Sequence, residues 1–113
     1  MTDRFAPMPD PPYYAVIFSS QRTEGDNGYG EMAQRMVELA EAQDGCIGVE
    51  TTADRSGFGI TVGYFRNEAA VLAWKNNEKH LAAQKRGKDV WYARYNLRVA
   101  KVERGYEGPE GRK

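Results

Sequence analysis

The fold is decided by residues 90–104, which read VWYARYNLRVAKVER and contain neither glycine nor proline. The side chains alternate with the period of a strand, which places one face at Trp91, Ala93, Tyr95, Leu97 and Val99. At about 3.3 Å per residue the run spans more than about 40 Å, whereas a usual strand covers roughly 17–20 Å. A small sheet is expected to leave part of that length unpaired, and an exposed strand edge favours a covering chain. The run therefore predicts a homodimer.

Three shorter strands are predicted before this run, at residues 13–20, 46–52 and 58–65, where β-branched and aromatic residues cluster. The third of them alternates bulky residues with a small face formed by Gly59, Thr61 and Gly63. Alternate glycines in a strand indicate that another part of the protein packs close to the backbone. The small face is thus a second feature that favours a dimer.

Two helices separate these strands. The first follows the turn at residues 25–28 and ends at Gly45, which can adopt the left-handed conformation of a helix C-terminus. The second begins after Asn67, a candidate N-cap, and we expect Asn76 and Asn77 to split or bend it. The order β-α-β-β-α-β is the ferredoxin-like pattern, an α+β sandwich with an antiparallel sheet.

The chain divides into three parts. Residues 1–12 form an arm, because prolines at four of its last six positions exclude a helix or a central strand. Residues 13–104 form the ferredoxin-like domain, and residues 105–113 form a polar tail that we expect to be flexible.

Composition excludes several classes of protein. Sixteen basic residues balance sixteen acidic ones, so neither nucleic acid nor a membrane surface is expected as a partner. The single cysteine, Cys46, cannot form an intrachain disulfide, and together with the single histidine, His80, it is too little for a structural zinc site. No segment has the character of a signal peptide or a membrane span, which predicts a cytoplasmic protein.

The segment FRNEAAVLAW at residues 65–74, followed by Glu78-Lys79-His80-Leu81, resembles the antibiotic biosynthesis monooxygenase family, as do the element order and the long last strand. The resemblance implies a dimer whose two sheets close into one α+β barrel, with a pocket between sheet and helices in each subunit. Some members of the family oxidise aromatic polyketides with molecular oxygen and need no metal or flavin, whereas others cleave haem.

Three residues match the spacing found in the quinone-forming members: Trp74, His80 and Arg94. The resemblance implies that Trp74 stacks on the substrate, that His80 moves a proton and that Arg94 stabilises an anion. We expect all three to face one cavity, with the break in the second helix bringing Trp74 and His80 together. The asparagine that these members carry four residues before the tryptophan is replaced here by Ala70.

Each candidate residue also has a purely structural interpretation. Trp74 lies on an apolar helix face, which is typical of a core residue. A single helical histidine such as His80 is typical of a surface position, and Arg94 is consistent with a solvated strand face. Cys46 is expected to be a buried structural thiol. Two aromatic residues of the first and last strands complete the predicted substrate-binding set, Tyr14 and Tyr95.

Haem cleavage is disfavoured by two departures from the haem-degrading members. Their axial histidine is replaced by Gln84, a poor iron ligand, and their asparagine near the end of the first strand is replaced by Ser19 and Ser20. We therefore expect no metal, flavin or haem cofactor.

Two functions remain open: a cofactor-independent monooxygenase of a small aromatic or polyketide-like substrate, and a non-catalytic barrel that binds a small apolar ligand or a protein. An open pocket beside Trp74 with converging polar groups would favour the first.

Overall fold

The computed structural model describes residues 4–25, 29–85 and 92–109. In these residues the chain forms β1 (Tyr13–Arg22), α1 (Tyr29–Ala42), β2 (Cys46–Ala53), β3 (Phe58–Phe65), α2 (Glu68–Lys85) and β4 (Tyr92–Val102). The strands form one sheet in the order β2-β3-β1-β4, and every neighbouring pair is antiparallel. The predicted α+β ferredoxin-like fold is confirmed. Neither helix is long and apolar enough to cross a membrane, within the residues described.

The last strand is paired along its length inside the chain. β4 pairs with β1 from Val102 opposite Tyr13 to Tyr92 opposite Arg22, because β1 continues two residues beyond the predicted end. The sequence predicted that part of this long strand would be left unpaired and would favour a dimer. Residues 92–102 contain no such unpaired overhang. β4 remains an edge strand of the four-stranded sheet, so one side of its backbone has no strand partner among the described residues.

A register shift changes which face one tyrosine occupies. Strict alternation predicts that Tyr92 shares a face with Arg94, but the β1–β4 register shifts between Gln21 and Arg22. The ring of Tyr92 consequently lies 5.3 Å from that of Phe18, on the face that carries the helices. Arg94 pairs with Gln21 and stays on the opposite face.

The start of α2 and the end of α1 follow the predicted local signals. The Asn67 side-chain oxygen accepts a hydrogen bond from the Ala70 N–H at 2.9 Å, which is the geometry of an N-cap. Gly45 has a φ of 91°, and a Cβ at this position would lie only 2.6 Å from the Cβ of Ala70. Glycine is therefore required there both by the backbone and by the approach of α2.

The predicted split in the second helix is wrong, because α2 runs unbroken from Glu68 to Lys85. Asparagine in a helix interior costs less than about 0.7 kcal/mol relative to alanine, which neighbouring turns and packing can offset. Asn77 also gains a partner, since its side-chain amide donates a hydrogen bond to Gln43 at 3.3 Å.

The N-terminal arm lies against the sheet face opposite the helices. The Ala6 N–H donates a hydrogen bond of 2.9 Å to one carboxylate oxygen of Glu50, and the Tyr64 hydroxyl donates one of 2.8 Å to the other. A Cβ on Gly48 would lie 3.0 Å from the Cβ of Ala6, so the missing side chain makes room for the arm.

We predict a specific loss of stability at high pH from this arrangement. Desolvation, followed by the hydrogen bond to the Glu50 carboxylate, raises the pKa of Tyr64 from 10.0 to about 12. The folded state therefore binds this proton more tightly than the unfolded state, and the stabilisation is complete below pH 10 and is lost as pH rises toward 12. Chemical denaturation between these pH values should show a shallower decline for Tyr64→Phe than for the unsubstituted protein. Identical slopes for the two proteins would contradict the assignment.

Candidate functional site

A cavity of about 370 Å³ lies between α1 and the sheet. Its volume falls at the lower end of the range of small-molecule sites, which is roughly 300–1,000 Å³. The wall on the helix side includes the apolar residues Met36, Val37 and Ala40 and one polar residue, Gln34. The floor is the helix-facing side of the strands, and Trp74 of α2 contributes to the lining.

The floor is arranged in three rows that cross β1, β3 and β2. The registers place Val16 beside Gly63 and Val49, Phe18 beside Thr61 and Thr51, and Ser20 beside Gly59 and Ala53. Directly opposed residues of an antiparallel pair have their side chains on the same face. The cavity exists because the β3 members of these rows are small.

This result changes the interpretation of the small face of β3. The sequence predicted that another element would pack close to Gly59, Thr61 and Gly63. The nearest atom to a Cβ placed on Gly63 is instead in the ring of Phe65, at 3.0 Å, and the space above the remaining floor is the cavity.

Trp74 fits both interpretations made from the sequence, as a core residue and as a residue that lines the site. Its ring stacks on that of Phe65, with centroids 6.4 Å apart and planes inclined by 23°. It packs against the core formed by Val16, Phe65 and Ala70, yet it also lines the cavity. Trp74 is therefore placed to offer its ring to a flat ligand without leaving the core.

The two predicted substrate-binding tyrosines occupy different positions. Tyr95 lies on the helix-facing side of β4, where its ring is 5.4 Å from Phe18 and 6.0 Å from Tyr92. Tyr95 packs against Phe18 and Tyr92, which line the cavity, but does not line it itself. Tyr14 is paired with Phe65, beyond the end of the cavity floor, and does not line it either.

Arg94 does not share a cavity with Trp74. It lies opposite Gln21 on the other side of the sheet, because successive strand residues alternate between faces. The expectation that these two residues face one space is wrong within a single chain.

The helix break that was predicted to bring His80 beside Trp74 is also absent from α2. In an unbroken helix, positions six residues apart are separated by about 240° around the axis, and α2 is unbroken. The side chains of His80 and Gln84 lie outside the described part of the structure.

The polar groups of the cavity were not predicted as site residues. Ser20 is a buried hydroxyl on the floor, and the Thr51 and Thr61 hydroxyls hydrogen bond to each other at 2.6 Å. One signal in the sequence was Ser20 itself. It is a polar residue at the end of a predicted strand whose first residues are mostly apolar. Its orientation depends on register, which sequence alone does not give.

Cys46 belongs to the packing around this site. It contacts the core cluster, and burial raises the pKa of its thiol in spite of a weak hydrogen bond to the Gly48 carbonyl. A raised pKa suits a structural thiol and disfavours a nucleophile at neutral pH. The described residues contain no group of three or more His, Cys, Asp or Glu side chains that could hold a metal ion.

Comparison with known proteins places this chain in a family. Residues 12–86 match the family described as antibiotic biosynthesis monooxygenase, which covers β1 to the end of α2. The chain belongs to the antibiotic biosynthesis monooxygenase family. The resemblance seen in the sequence is thereby confirmed.

Several relatives are similar over most of the chain. The uncharacterized protein YqjZ of Bacillus subtilis is 50% identical over 104 residues, which are 92% of this chain and 91% of that protein. Protein PA3566 of Pseudomonas aeruginosa superposes with a TM-score of 0.63 at 21% identity, over 83% of this chain and 95% of its own. A structure described as an antibiotic biosynthesis monooxygenase gives a TM-score of 0.63 at 13% identity, over 81% and 98% of the two chains. The structural matches show the shared fold.

Proposed function

We propose that this member of the antibiotic biosynthesis monooxygenase family oxidises a small aromatic substrate with molecular oxygen. The observation that carries the proposal is the open apolar cavity beside Trp74, into which hydroxyl groups of the sheet converge. A cavity filled by neighbouring side chains would have left no place for a substrate.

The proposed reaction converts a phenol to a quinone. A base removes the phenol proton, the resulting anion gives an electron to oxygen, and the two radicals combine to form a carbon–oxygen bond. Loss of water from the hydroperoxide gives the quinone. For 1-naphthol the balance is C₁₀H₈O plus O₂ giving C₁₀H₆O₂ plus H₂O, so the substrate supplies all the electrons.

The protein's part in this proposal is to bind the ring and to exclude water. Trp74 would stack on the substrate, a contact worth of order 1 kcal/mol beyond area burial. His80 is proposed as the proton acceptor, because it is the single histidine of the chain and imidazole is the usual general base near neutral pH. Arg94 has no role in the proposal, since it lies on the other face of the sheet.

A specific observation favours a second function, a binding protein without catalysis. Among the described residues that line the cavity there is no Asp, Glu, His, Lys or Arg, so Tyr92 is the one ionisable side chain there. A cavity without a general base can bind a ligand but has little means to activate it.

Oxygen consumption distinguishes the two functions. A panel of one- to three-ring phenols, including 1-naphthol, should contain a substrate whose turnover consumes one O₂ per quinone and incorporates one atom of ¹⁸O from ¹⁸O₂. His80→Ala should lower the rate by about 10²–10⁴-fold, which is the usual contribution of a general acid or base. Arg94→Ala is the matched control and should retain the rate. Binding of the phenols without oxygen consumption would contradict the oxygenase and support the binding protein.

We also propose a homodimer that uses the free edge of β4. Leu97 and Val99 expose apolar side chains on this strand, and Val99 is 55% exposed. An exposed strand edge with apolar side chains is a favourable surface for a second copy of the chain.

Sedimentation tests the dimer. The unsubstituted protein should sediment as a dimer at micromolar concentration, and Val99→Asp should shift it to a monomer because a carboxylate would be buried in the interface. Leu72→Asp is the matched control, since Leu72 is 59% exposed on α2 and should leave the dimer intact. A stable monomer of the unsubstituted protein would contradict the proposal.

A further inference from the structure

The most informative group outside the predicted site is the hydroxyl of Ser20. The residue is only 6% exposed, and it lines the cavity, so its hydroxyl is a polar group at the surface of a mostly apolar space. A polar group at one end of an apolar cavity gives a ligand oxygen a hydrogen-bonding position there and fixes the ligand's orientation.

The surroundings of Ser20 leave room for such a ligand. On the β3 side its neighbours are Gly59, which has no side chain, and Ala53 beyond it, whereas Tyr95 lies opposite it on β4. Neither Gly59 nor Ala53 can hydrogen bond to the serine through a side chain. On the β3 side, the end of the cavity at this row therefore combines small residues with the hydroxyl of Ser20.

The next row provides a second polar position. Thr51 and Thr61 share one hydrogen bond of 2.6 Å, so one of the two hydroxyl protons remains available to a ligand. This row lies two residues along the strand from Ser20, which is about 6.6 Å. Beyond it, Val16, Gly63 and Val49 form a floor without side-chain polar groups, beside the apolar ring of Phe65.

We infer that the cavity selects an aromatic molecule of one or two rings that carries a hydroxyl or carbonyl oxygen at one end. The oxygen binds at Ser20, and the rings lie on the glycine-containing floor toward Phe65 and Trp74. The volume of about 370 Å³ is near the lower limit for ligand sites, roughly 300 Å³, which disfavours large multi-ring molecules. The inference rests on the proposed function only for the aromatic class of the ligand.

Calorimetric titration with two probes of the same ring system tests this assignment. The unsubstituted protein should bind 1-naphthol more tightly than naphthalene, because only 1-naphthol has an oxygen. Ser20→Ala should weaken binding of 1-naphthol by about 5–10-fold, the effect of one hydrogen bond, and leave the affinity for naphthalene unchanged. Ser19→Ala is the matched control, since Ser19 pairs with Ile60 on the opposite face of the same strand and should leave both affinities unchanged.

Thermal unfolding of the ligand-free proteins completes the test. Ser20→Ala should not lower the melting temperature, because the inference assigns the hydroxyl to the ligand and not to the fold. A lower melting temperature would show that the hydroxyl serves the fold, and equal binding of 1-naphthol by Ser20→Ala and the unsubstituted protein would overturn the assignment. Failure of the unsubstituted protein to bind either probe would also overturn it. Selective binding without oxygen consumption would leave this inference standing and contradict only the oxygenase.

Discussion

The packing of Phe65 determines where the helices lie on the sheet and where a cavity remains. Its side chain is fully buried against Val16, Ala70 and the ring of Trp74, at the end of β3 where α2 begins. The Gln43 side-chain amide donates to the Ala70 carbonyl at 2.7 Å, which ties the end of α1 to the same point. Because large side chains fill this end, the small residues farther along β3 leave open space beneath α1.

The parts of the fold that depend on neighbouring residues were predictable from the sequence. Asn67 caps α2, Gly45 adopts a positive φ after α1, and the Asp54 carboxylate accepts hydrogen bonds from the Ser56 and Phe58 N–H groups in the β2–β3 turn. Each signal acts within a few residues, so no knowledge of the tertiary structure was needed. The order of elements, and with it the ferredoxin-like fold, follows from such signals.

The predictions that failed depend on distant parts of the chain. The register shift opposite Gln21 turns Tyr92 toward the helices, and a tertiary hydrogen bond to Gln43 helps to keep Asn77 within a continuous helix. Of the predicted site residues, Trp74 lines the cavity, Arg94 lies on the other face, and Tyr14 and Tyr95 lie outside the lining. Ser20 was not predicted as a site residue because its role depends on burial and on its position in the cavity, and neither is visible in a sequence.

The central claim is that small aromatic ligands bind on the helix-facing side of the sheet. Methyl NMR of protein labelled at valine, leucine and isoleucine, titrated with 1-naphthol, tests it most directly because each face of the sheet carries its own methyl groups. The account predicts chemical-shift changes at Val16, Val37 and Leu97, which line the cavity, and none at Ile17, Ile60 and Val62 on the opposite face. Changes confined to the opposite face, or no changes at a saturating concentration of 1-naphthol, would contradict it.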